Sequence, residues 1–180
     1  TLHESLSWSL QEVMSCDAAR ICVKFLNTFL CEDEQDGEEE ENTSVRHDSV
    51  STGLQFLVAL SRDPSTHDVL VQNECMSLAM EICSRENREA VVSTEWATML
   101  MSQLCARNED AKSEFKSLGG VKRFLNFLKN SVEGMVLPEV LIGSIVNLLS
   151  CAIVGHKELE KQFFVQEGAK VLLDLLNSCP

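Results

Sequence analysis

The side chains in this 180-residue chain that could do chemistry are scattered along it. Its four histidines, His3, His47, His67 and His156, fall at the start of the chain, in an acidic stretch and in turns. Asp63, Ser65 and His67 could be drawn as a nucleophile–base–acid set. Triads, however, are defined by geometry across a fold, and three near-neighbours in one turn read instead as a cap with solvated side chains. The cysteines are Cys16, Cys22, Cys31, Cys75, Cys83, Cys105, Cys151 and Cys179, and none forms a C-x-x-C pair. Most stand among apolar neighbours at helical spacing, so they are expected to be reduced, buried thiols rather than zinc ligands or disulfides. Gly119-Gly120 lacks the Lys-Ser/Thr that completes a phosphate loop. Glu32–Glu41 reads EDEQDGEEEE, but without the spaced Asp/Asn/Gly ligands of a calcium loop. No catalytic, metal or cofactor site is expected, and the chain does not read as an enzyme.

Charge points the same way. Fifteen basic against 28 acidic residues give a net −13. The only basic cluster is Lys122, Arg123 and Lys129, too small for a nucleic-acid footprint. No apolar run approaches the roughly 20 residues of a membrane span, and no charged-then-apolar leader opens the chain. A soluble protein of cytoplasm or nucleus is the expectation.

The elements that must position any site are helical. Apolar content is 44%, there is no Tyr, and only eight Gly and three Pro punctuate the chain. Leu6, Leu10, Val13 and Met14 recur at helical spacing, then Ile21, Phe25, Leu26 and Phe29 after a break at Cys16-Asp17. Residues 1–30 are thus expected to form an N-terminal helical pair that caps or begins the fold. The acidic segment 31–47 has no apolar periodicity and is expected to be a disordered loop. Beyond it, helices are expected around Leu54–Leu60, 65–72, 75–84, 88–106, 109–117, Val121–Leu128, Pro138–Val154, 157–166 and 168–178. No stretch alternates with the period of a strand. The fold class is all-α.

The chain also repeats itself. Residues 112–130, KSEFKSLGGVKRFLNFLKN, align with 160–178, EKQFFVQEGAKVLLDLLNS, placing Phe115 on Phe163, Gly120 on Gly168 and Leu128 on Leu176. A third copy starts at His67, with Cys75 where the others have glycine. Units that cannot bury themselves alone must stack into a continuous core. Over about residues 50–178 this pattern resembles the armadillo repeat family, with HEAT-type repeats as near relatives. The resemblance implies a right-handed α-solenoid of about three to four helical repeats over residues 48–180.

It also implies a place for a partner. The family's third helix often ends L-S-N-L-A, and Ile145-Val146-Asn147-Leu148-Leu149 matches that ending. Gln103 takes the asparagine place one repeat earlier, and Ala59 the place before that. The family's groove tryptophan is absent from its usual position, which holds Gly143 and Met99, but Trp96 stands a turn back. Trp96, Met99, Gln103, Gly143 and Asn147 are therefore the candidate partner-binding residues, their amides available to the backbone of an extended peptide. Inter-repeat contact with one polar cap is the alternative for the same residues. The resulting expectation is a non-enzymatic module or scaffold that binds another protein's peptide or helix. The second possibility is a structural or oligomerisation segment of a larger assembly protein whose contacts are mainly self-association, with a homodimer through the apolar C-terminal helix (Val171, Leu172, Leu173, Leu175, Leu176) as one form of it.

Overall fold

The computed structural model describes residues 17–32, 40–85, 91–132 and 137–178. Among these, every regular element is a helix. They are α1 (Ala18–Glu32), α2 (Glu40–Ser61), a 3-10 turn (Pro64–Thr66), α3 (His67–Gln72), α4 (Cys75–Ile82), α5 (Val91–Arg107), α6 (Glu109–Ser117), α7 (Gly120–Val132), α8 (Glu139–Ile153), α9 (Lys157–Val165) and α10 (Gly168–Ser178). The expected helix at 65–72 divides into the 3-10 turn and α3. Helix α1 runs on to Glu32 and helix α2 begins at Glu40 rather than near Asp48, so residues 31–32 and 40–47 of the expected acidic loop are helical. Glutamate is a good helix former, and at an N-terminal end its carboxylate meets the favourable pole of the helix dipole. The remainder of that loop at 33–39 and the expected first helix (Leu6 to Met14) lie outside the described residues. Residues 88–90, expected to open the long helix α5, do so too.

The same handover recurs before α1, α4, α7 and α10. Asp17, Glu74, Gly119 and Glu167 all have left-handed backbones, with φ of 53°, 60°, 69° and 57°. The carbonyl of each accepts from the amide four residues on, that of Ile21, Leu78, Arg123 and Val171, at 2.9 to 3.1 Å. Only at Gly119 is that conformation free of a Cβ penalty. The next residue is set by what crosses it. At Gly120 and Gly168 a Cβ would stand 2.4 and 2.2 Å from the rings of Phe115 and Phe163. In the copy that carries Cys75, Leu70 occupies the phenylalanine place, and the smaller side chain leaves room for a Cβ.

The start of each unit is capped by a side chain of its own. Asp63 accepts from the Ser65 amide at 2.9 Å, Asn108 from Ala111 at 2.8 Å, and His156 through Nδ1 from Leu159 at 3.3 Å. The three caps are chemically different, yet each takes up an N–H that the first helical turn leaves without a partner.

The core runs through the long helices. Helix α5 lies between α2 and α8, and these are the two most extensive helix pairs in the structure. Leu54, Leu57 and Val58 from α2, Ala97, Leu100, Met101 and Leu104 from α5, and Ile145, Leu148 and Leu149 from α8 are buried there. Helix α5 is buried on so many sides that Thr94, Thr98 and Ser102 are also inside. Thr98 and Ser102 donate to the carbonyls four residues back at 2.7 and 2.9 Å, so they enter the core without an unmet donor. On α7, Phe124, Leu125 and Leu128 are buried and Phe127 half-buried, the stripe expected from their spacing.

Candidate partner-binding face

Because α2, α5 and α8 lie side by side, the residues that each turns away from the core form one surface. Helical periodicity selects them: Thr52, Phe56 and Ala59 on α2, Val92, Trp96, Met99 and Gln103 on α5, and Val140, Gly143, Asn147 and Ser150 on α8. All five candidate residues from the sequence fall on these outward stripes. Trp96 and Met99 are half-buried, their inner edges resting on the core. Gly143 is exposed, and a Cβ there would meet no atom within 4 Å. Asn147 is exposed, and its Oδ1 receives only a long contact from the Cys151 thiol at 4.0 Å.

Gln103 differs from Asn147. Its Oε1 accepts from the Ser61 hydroxyl at 2.6 Å, joining α5 to α2. Ser51 and Ser93 make a second link between the same helices at 3.0 Å. Gln103 therefore has a packing role, while its amide nitrogen stays available. At this face the structure brings together an aromatic ring, aliphatic surface, two side-chain amides and a gap beside Gly143. That combination can hold apolar side chains of a ligand and pair with its backbone.

The residues with reactive groups do other work. Asp63 is a cap, and the Ser65 amide that it accepts holds its carboxyl below the usual range. His67 is buried rather than solvated, its Nε2 2.8 Å from the Ser61 carbonyl. Burial pushes the thiols up, Cys22 to about 11 and Cys75, Cys83 and Cys105 to about 12, so all four stay protonated at neutral pH. Among the described residues, no three His, Cys, Asp or Glu side chains gather in a metal-binding group. Lys112 is buried on α6, where its Nζ donates to the Val154 carbonyl at the end of α8 and to Glu109 Oε1, both at 2.9 Å. That ammonium ties one unit to the next and holds the Glu109 carboxyl below its usual range.

Sequence reasoning missed part of this surface. Phe56, Val92 and Val140 are exposed beside the five candidates. Each lies off its helix's buried stripe, and that spacing is the signal that could have found them.

A chain of successive helical units that share one turn geometry and pack long helix on long helix is a helical-repeat protein of the armadillo type. Its fold is consistent with a non-catalytic protein-interaction or scaffold module. The family model described as cilia- and flagella-associated protein 69, ARM repeat, matches residues 54–180, and the chain belongs to that family. No curated protein matches it.

Proposed function

We propose that the chain is a non-enzymatic scaffold module, a right-handed α-solenoid of three to four armadillo-type repeats, that binds a peptide or helix of another protein across α2, α5 and α8. The observation that carries this is the shared outward face of Trp96, Met99, Gln103, Gly143 and Asn147, apolar at its centre and supplied with amides. Trp96 and Met99 supply the contact area, Asn147 and the free amide nitrogen of Gln103 pair with the ligand backbone, and the gap at Gly143 admits it closely. The family's name supports a partner within a cilium or flagellum. The free thiols of Cys22, Cys75, Cys83, Cys105 and Cys151 support a reducing compartment, cytoplasmic or nuclear. The net charge of −13 supports a protein partner over nucleic acid.

Gly143→Arg tests the reading, because it fills the open space without touching the core. Affinity capture from ciliary extract should lose its bound protein with this variant and keep it with Lys157→Ala, a change on α9, away from this face. Equal capture by both would sink the assignment of this face. A second reading, self-association through the C-terminal helices, is favoured by the exposure of Leu173 and Leu176 on α10.

A further inference from the structure

A groove of about 500 Å³ runs between the end of α4 and one side of α7. Ser84 stands on it just past α4, and Lys122, Arg123, Asn126, Phe127 and Asn130 line it from α7. The lining holds two cations, two side-chain amides and no carboxylate, in a chain whose net charge is −13. These cations answer no charge inside the chain. Among the described residues, neither Lys122 nor Arg123 makes an ion pair. Both stand in the first turn of α7, where the helix dipole favours carboxylates instead. Helices α6 and α9 follow that rule, with Glu109 and Asp110 in one first turn and Glu158 and Glu160 in the other.

Arg123 is held in place. Its Nη1 donates to the Met80 carbonyl at 3.0 Å and to the Ser84 hydroxyl at 2.5 Å. Its Nε and Nη2 have no acceptor among the described residues. Lys122, Asn126 and Asn130 are exposed, and their side chains likewise make no hydrogen bond there. Their four-residue spacing puts them on one side of α7. At 1.5 Å per residue the row is about 12 Å long, the length of about four residues of extended chain.

We propose that this groove binds an acidic segment of a partner protein, a run of glutamates or aspartates in extended form. Lys122 and the open edge of the Arg123 guanidinium meet its carboxylates. Asn126 and Asn130 pair with its backbone, and the half-buried Phe127 supports its aliphatic stems. A row of this length suits several residues of a peptide rather than one small anion. A basic cluster too small for nucleic acid is large enough for such a run. The groove shares no residue with the face across α2, α5 and α8, so binding here is independent of that reading. The chain as a whole repels an acidic ligand, and the attraction is local. It is therefore measured near physiological salt, where charges more than about 8 Å apart are largely screened.

The test titrates a fluorescent octaglutamate peptide with the full chain at that salt, beside an uncharged serine–glycine octapeptide. Octaglutamate should bind saturably and the uncharged peptide should not. Lys122→Glu should weaken octaglutamate binding about tenfold or more, because it replaces an attraction at the contact by a repulsion. Lys161→Glu makes the same change of charge at an exposed place on α9 outside the groove, and should weaken binding less than about twofold. Asn126→Ala with Asn130→Ala should weaken it about fivefold or more, through the lost amide bonds. If Lys122→Glu has an altered helical spectrum or melt, Lys122→Gln replaces it and should still lose more than Lys161→Glu. Absence of saturation up to millimolar octaglutamate overturns the proposal. So do equal losses in Lys122→Glu and Lys161→Glu, since binding would then follow overall charge, and equal binding of the uncharged peptide, since the cations would then play no part.

Discussion

The ring of Phe115 lies across Gly120 so closely that a Cβ on the glycine would stand 2.4 Å from it. Phe115 is fully buried and stacked on Phe124, ring centres 6.0 Å apart, so it has little room to give way. Gly120→Ala should cost about 1–3 kcal/mol in chemical denaturation, the range for overfilling a close-packed site. Phe115→Leu combined with Gly120→Ala should cost less than the sum of the two single changes, because it recreates the Leu70/Cys75 pairing of the earlier unit. Additive costs in that cycle would show that the ring does not dictate the glycine.

Lys112 should be the most sensitive cation in the protein. Its buried ammonium caps the end of α8 through the Val154 carbonyl, and hydrogen bonds to charged groups contribute about 1.5–3 kcal/mol. Lys112→Met keeps most of the volume and should lower stability by about that amount in a urea titration. Glu109→Gln should change little, since the Glu109 carboxylate is exposed. A Lys112→Met protein as stable as the parent would rule out the cap.

Thiol chemistry gives a pH signature. Burial raises Cys22 from an ordinary 9.0 to about 11, so its thiolate fraction near pH 8 should be about 100-fold below that of the unfolded chain. Alkylation followed by peptide mass mapping should find Cys22, Cys75, Cys83 and Cys105 labelled slowly until the protein is unfolded. The native state keeps these protons where the unfolded chain releases them. Stability from this source is therefore intact below about pH 9 and falls as pH rises through 9 toward 11 and 12. Flat stability across that alkaline window would contradict the burial of the thiols.

The two amides at the candidate face should separate in a thermal melt. Gln103→Ala removes the bond from Ser61 and should cost about 0.5–1.5 kcal/mol, whereas Asn147→Ala should stay within about 0.5 kcal/mol of the parent. In partner capture, both changes should weaken binding. If Gln103→Ala melts lower but captures normally while Asn147→Ala does neither, the two amides are not a binding pair.

Much of this was legible along the chain because the signals are local. The glycines at 119 and 120, Pro138 and the Phe124–Leu128 stripe are local signals of this kind, and the helices fall where they indicate. The start of α2 was not legible, since a dense acidic run reads as unstructured unless a helix terminus takes up its charge. The burial of His67 was hidden for a different reason. Its partner, the Ser61 carbonyl, comes within reach only after the chain has turned at Asp63.

The sequence by itself determined an all-helical chain with a repeating turn, because backbone propensity, capping and 3.6-residue periodicity are properties of neighbours. The resemblance to armadillo repeats also pointed to Trp96, Met99, Gln103, Gly143 and Asn147 as candidate partner-binding residues, with inter-repeat contact as the alternative. Only the tertiary structure decided which equivalent residues are covered. Leu125 and Leu173 are the same residue type at the same place in their units, and nothing local distinguishes them. One is buried because later helices lie over it and the other is exposed because none of the described helices does, and burial belongs to the neighbour in space.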